Sequence, residues 1–148
     1  MLITPLQFLL TLLAVTAMAG VAQWMIRQRQ VRRLRRLAAE RKMHFSAADR
    51  FKLAARIAPL IPIPGAAAVR VADLIYGVER EHYRYVFATE YTTGVLRTKT
   101  GVRRIATYRE PRTPGGAEPS RELLFAPESL SLLGQYEHLL TQQAENPA

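Results

Sequence analysis

The chain has 148 residues, enough for one soluble domain and a short appendage but not for two cores. It has no cysteine, which excludes disulfide scaffolds, thiolate zinc sites, iron–sulfur clusters and cysteine nucleophiles. Its 21 basic and 12 acidic side chains leave a net charge of +9, and that excess is unevenly placed. The first 26 residues carry no charged side chain. Arg27 to Lys42 holds eight basic residues against Glu40, and the remainder from Met43 is close to balance at +2. A uniformly basic chain points to nucleic acid. A basic block directly after an apolar one points to a membrane, and the distribution favours that reading.

Thr4-Pro5 reads as a helix start, because threonine can cap free N–H groups and proline suits the first turn. Leu6 to Ile26 then gives 21 uncharged residues. At about 1.5 Å rise each they span roughly 31 Å, about one hydrocarbon thickness. Gln7 and Gln23 sit near the ends, and Trp24 falls where an indole favours the interface. Two other readings stand beside a transmembrane helix. One is a buried core helix of a soluble protein. The other is a cleaved signal peptide, for which Ala17-Met18-Ala19 before Gly20 supplies small residues. Against the signal peptide, no Lys or Arg precedes the apolar run, which continues past that point to Ile26. The charge asymmetry places the short N-terminus outside and the C-terminal part in the cytoplasm. Thr16 and Gly20 form a small-xxx-small pair through which two spans could approach as a homodimer.

Arg27 to Lys42 has no Gly or Pro and reads as a helix. Val31, Leu34 and Ala38 share a stripe, with Leu37 on its flank. The helix either continues the span or bends onto the anionic leaflet. Arg27, Arg29, Arg32, Arg33, Arg35 and Arg36 are the expected membrane-surface residues, meeting lipid head groups at roughly 1 kcal/mol for each one near the surface. The blander alternative is a topology signal alone. Nucleic-acid binding through this helix is disfavoured, since Arg27 is tethered at the membrane.

Further on, Ser46-Ala-Ala-Asp49 resembles a capping box and predicts a helix over Ala47 to Ala58, ended by Pro59. Leu60 to Gly65 is a proline-stiffened apolar linker. Val69 to Tyr76 predicts a strand, and Gly77 to His82 a charged turn. Tyr83 to Leu96 predicts a second strand, with Tyr83, Tyr85, Phe87 and Tyr91 on one side and Arg84, Val86, Ala88 and Glu90 on the other. Arg97 to Gly101 is a turn and Val102 to Arg109 a third strand. Pro111 to Ser120 is a Pro- and Gly-rich loop, and Arg121 to Phe125 a short edge strand. Pro127 opens a last helix over Glu128 to Gln143, with Leu132, Leu133, Tyr136, Leu139 and Leu140 as its apolar face.

No nucleotide-binding glycine motif and no nucleophile elbow occurs, so the sequence names no catalytic residue and no cofactor. Glu79, Glu81 and His82 share a turn and read as solvated charges, not a metal site. His44 and His138 have no partner visible in the sequence. Aromatic residues beside arginines can stack bases, but Tyr83, Tyr85 and Phe87 read better as core.

The stretches Leu37 to Ala55, Pro64 to Gly77 and Tyr83 to Leu96 resemble an uncharacterised bacterial family of small single-span membrane proteins with a cytoplasmic-side α+β domain. The resemblance covers roughly Leu34 to Pro111 and is weaker in the last helix. It implies the same architecture and no activity, and no functional residue carries over from it.

The expected fold is α+β. Residues 1–26 form a transmembrane helix and 27–45 a basic juxtamembrane helix. Residues 46–143 form a domain with an antiparallel sheet of three to four strands flanked by helices, and 144–148 a frayed tail. The functional expectation is a non-enzymatic, single-pass anchor in the cell (inner) membrane, with the lipid bilayer, anionic lipid head groups or a protein as partners. The rivals are a membrane-tethered enzyme and a weak nucleic-acid tether.

Overall fold

A computed structural model describes residues 4–94, 100–113 and 121–142. The chain divides into two compact units, Met1–Arg33 and Leu34–Ala148.

The first unit is the greater part of helix α1, Pro5–Glu40. Thr4 donates its backbone N–H to Gln7 Oε1 at 3.3 Å, one half of a capping box. The Thr11 hydroxyl donates to the Gln7 carbonyl at 2.9 Å and the Thr16 hydroxyl to that of Leu12, so these two polar groups are satisfied within the helix. Large apolar side chains are exposed all round, including Leu13, Met18 and Trp24. A core helix hides its apolar stripe, and this segment hides none. Among the described residues it is the one helix long and apolar enough to cross a membrane, with a mean hydropathy of 1.8 over its most apolar window.

The second unit is an antiparallel meander of five strands in the order β1-β2-β3-β4-β5. They are β1 His44–Ala48, β2 Ala67–Glu79, β3 His82–Thr93, β4 Thr100–Pro111 and β5 Glu122–Phe125. The expected three to four strands become five because His44–Ala48 is a strand, not the approach to a helix. It pairs with β2 from His44↔Tyr76 to Ala48↔Ala72. The helix expected over Ala47 to Ala58 shrinks to α2, Leu53–Ile57, followed by a 3-10 turn at Ala58–Leu60. Lys52 stands at its N-cap position without a side-chain bond, and the carboxylate of Asp49 instead accepts from Leu53 N at 2.8 Å and Ala54 N at 3.0 Å. Ser46 donates to the Ala48 carbonyl.

The turn expected over Gly77 to His82 contracts to Arg80-Glu81, with Glu79↔His82 still paired. The edge strand β5 forms as expected, against β4. Helix α3, Leu132–Thr141, starts later than Pro127 suggests, because the Ser131 hydroxyl accepts from Gly134 N and caps it there. Residues 97–99 of the expected Arg97 to Gly101 turn, residues 114–120 of the expected loop and the tail 144–148 lie outside the described residues.

The sheet is covered on both faces. On one side Ile75, Val86, Ala88 and Ile105 meet Leu34, Leu37 and Ala38 from the end of α1 and Tyr136, Leu139 and Leu140 from α3. On the other, Val71, Leu74, Phe87 and Ala106 meet Leu53 and Ile57 of α2. β3 is therefore buried on both faces, not alternately buried and solvated. Bulges in β2 keep its apolar residues in phase. Between Ala72 and Ile75 the register shifts at Asp73, which has φ 51, so Val71 and Leu74 reach the same face despite their odd spacing.

Candidate functional site

Helix α2 is too short for the face it covers. Five residues rise only about 7.5 Å, while the twelve of β3 extend roughly 40 Å. The end of the sheet face nearest the β2–β3 turn is left open as a groove of about 980 Å³.

Strand register builds its floor. His44 pairs with Tyr76, Tyr76 with Tyr85, and Tyr85 with Tyr108, a row of rings across four strands. His44 and Tyr76 lie 5.4 Å apart between ring centroids. Phe51, from the segment entering α2, sits edge-on to Tyr76 at 4.8 Å and tilted to Tyr85 at 5.6 Å. His44, Phe51, Tyr76 and Tyr85 line the groove, with Val78 and Tyr83 exposed toward its open end. Burial holds the Tyr85 hydroxyl above the usual phenol range, and Glu110 pushes it the same way. Like any phenol at physiological pH, it is a neutral donor and acceptor.

The rim is basic. Lys42, Arg56, Arg112 and Arg121 share the lining with one carboxylate, Glu110. Arg56 Nη1 meets Glu110 Oε2 at 2.8 Å, which neutralises that acid. Lys42, Arg112 and Arg121 have no side-chain ion pair among the described residues. Lys42 follows α1 in the left-handed region, with φ 56. There Lys42 N donates to the Ala39 carbonyl and Met43 N to that of Ala38, the bond pair of a Schellman terminus. Glycine is the usual residue at that position.

None of the six arginines expected at the membrane surface lines this groove. Arg29, Arg32 and Arg33 are exposed in the first unit and Arg27 is half-buried there. In the second unit Arg36 is exposed, and Arg35 stands over the Phe45 ring at 5.7 Å, a cation–π contact with its own domain. The row Tyr83, Tyr85, Phe87 divides by depth: Phe87 is fully buried, Tyr85 floors the groove and Tyr83 is 37% exposed. Glu79 pairs with Arg84 at 3.1 Å, and among the described residues no group of three His, Asp or Glu could hold a metal ion. Sequence reasoning counted Lys42 in the basic block after the span and did not single out Arg112 or Arg121; Lys42 is remote from both along the chain, and the fold lines one groove with all three.

The chain matches no protein-family model, no curated protein and no solved structure.

Proposed function

We propose that the chain is a single-pass membrane anchor that holds a non-enzymatic binding domain at the cytoplasmic face of the cell membrane. The observation that carries this reading is the exposed apolar stretch of α1 ahead of a compact unit with an open groove. A span confines its domain to two dimensions and raises its effective concentration near the leaflet. The basic block Arg27 to Lys42 supports a cytoplasmic domain by the positive-inside rule, with Arg29, Arg32 and Arg33 available to anionic head groups.

Two features of the groove favour binding over catalysis. Its carboxylate Glu110 is engaged by Arg56, and the ring of His44 packs against Tyr76. Neither is hydrogen-bonded to a hydroxyl it would activate, as a nucleophile–base pair requires. A membrane-tethered enzyme is the second reading, favoured by the concavity itself.

The test is alkaline carbonate extraction of the full chain combined with a C-terminal reporter active in one compartment. Retention in the membrane pellet with a cytoplasmic reporter is the expected result. Release into the wash, or an external reporter, overturns the anchor or its orientation.

A further inference from the structure

We propose that the groove of the second unit binds a small organic anion bearing a flat ring, such as an aryl phosphate or aryl carboxylate. The proposal deepens the binding-domain reading and rests on it.

Three observations converge. The floor is aromatic: strand register sets Tyr76 beside Tyr85, and Phe51, from the turn entering α2, packs edge-on to Tyr76 and tilted to Tyr85. Such a floor accepts a flat ring in offset or edge contact. The rim carries Lys42, Arg112 and Arg121, while the acid Glu110 is already neutralised by Arg56, so the local excess is positive. Arginine presents a planar donor fork matched to phosphate and carboxylate oxygens. The volume, about 980 Å³, lies at the upper end of small-molecule sites, which have apolar walls and a few placed polar groups.

Lys42 supplies the rim cation contributed by the segment after α1. It occupies a left-handed position at which glycine costs nothing and a lysine is strained. Its side chain lines the groove. Tyr85 offers a neutral hydroxyl at the floor.

The experiment uses the full chain in nonionic detergent and equilibrium dialysis with three probes: phenyl phosphate, inorganic phosphate and benzyl alcohol. Saturable binding of phenyl phosphate is expected, at least tenfold tighter than either half-probe. The exposed pair Arg112→Gln with Arg121→Gln should weaken it tenfold or more, and Tyr83→Ala several-fold, with unchanged thermal melts. Equal binding of benzyl alcohol would make the groove merely apolar, and equal binding of inorganic phosphate would make it a charge patch. Either result, or binding indifferent to the arginine pair, or no binding, overturns the proposal. Displacement by a short-chain anionic phospholipid that binds tighter than phenyl phosphate would also overturn it, in favour of a lipid. Binding in detergent does not depend on the span, so a failure here leaves the extraction result standing. Conversely, release from the membrane leaves this site standing.

Discussion

Tyr85 and Tyr108 face each other on neighbouring strands, and their rings stack with centroids 6.0 Å apart and planes 26° from parallel. Burial raises both phenols above their usual range, with Glu110 acting in the same direction. A phenol whose pKa is higher in the folded state favours folding fully below its unfolded pKa near 10, and that contribution disappears as pH rises through the folded value. Stability should hold up to about pH 10 and then fall. Tyrosinate absorbance from this pair should appear only above the usual phenol range. Tyr108→Phe should shift the alkaline unfolding midpoint upward, as read by circular dichroism across a pH series.

The terminus of α1 predicts a divergence between stability and binding. Lys42→Gly relieves a left-handed lysine and should stabilise the domain by about 1 kcal/mol in urea unfolding. The same change removes a rim cation and should weaken phenyl phosphate binding. A variant that is more stable and binds equally well would leave Lys42 with no role in the groove.

Asp49 and Ser46 compete in the sequence for the role of helix cap, and the geometry gives the capping hydrogen bonds to Asp49. Asp49→Ala removes two hydrogen bonds at the start of α2 and should cost about 1–2 kcal/mol. Ser46→Ala, which loses a bond from its hydroxyl to the Ala48 carbonyl, should cost less than about 1 kcal/mol. Paired chemical denaturation of the two variants checks the order.

Arg84 is a buried cation that ties β3 to α3. Its Nη1 meets Glu79 at 3.1 Å, its Nη2 donates to the Leu139 carbonyl, and burial lowers its pKa against the opposing pull of Glu79. Truncation to Ala leaves the helix carbonyl and Glu79 without this donor and should cost roughly 2–4 kcal/mol. Hydrogen exchange should show the loss first in α3.

The orientation proposal makes its own prediction. Replacing Arg29, Arg32 and Arg33 together by Glu should send a fraction of C-terminal reporters to the opposite compartment. Wild-type orientation in that variant would show that these charges do not set topology.

Much of the meander was legible because Val69 to Tyr76, Tyr83 to Leu96 and Val102 to Arg109 are rich in β-branched and aromatic residues, and β5 followed as an edge. β1 was not. Ala47 and Ala48 favour helix locally, and Ser46 with Asp49 imitates a cap, so only pairing with β2 makes His44–Ala48 a strand. The bulges were hidden for a related reason. Ala68 and Asp73 adopt positive φ without the glycine that would announce it. The groove was invisible because its row, His44, Tyr76, Tyr85 and Tyr108, exists only once register is set. Nor does sequence alone reveal that a five-residue α2 leaves a groove at the end of the face nearest the β2–β3 turn.

The meander pairs each strand with its neighbour along the chain, so the sheet can assemble hairpin by hairpin as it leaves the ribosome. The core opposite α2 cannot. Leu34 and Leu37 share it with Leu139 and Leu140, and Arg41 donates to Thr141 at 3.0 Å across 100 positions. A nascent chain can thus carry a paired sheet whose face is covered by the end of α1 alone until α3 has been synthesised. A polypeptide halted before Leu132 lacks the Tyr136, Leu139 and Leu140 cover over Ile75, Val86 and Ile105, and should be cut sooner than the full chain in limited proteolysis.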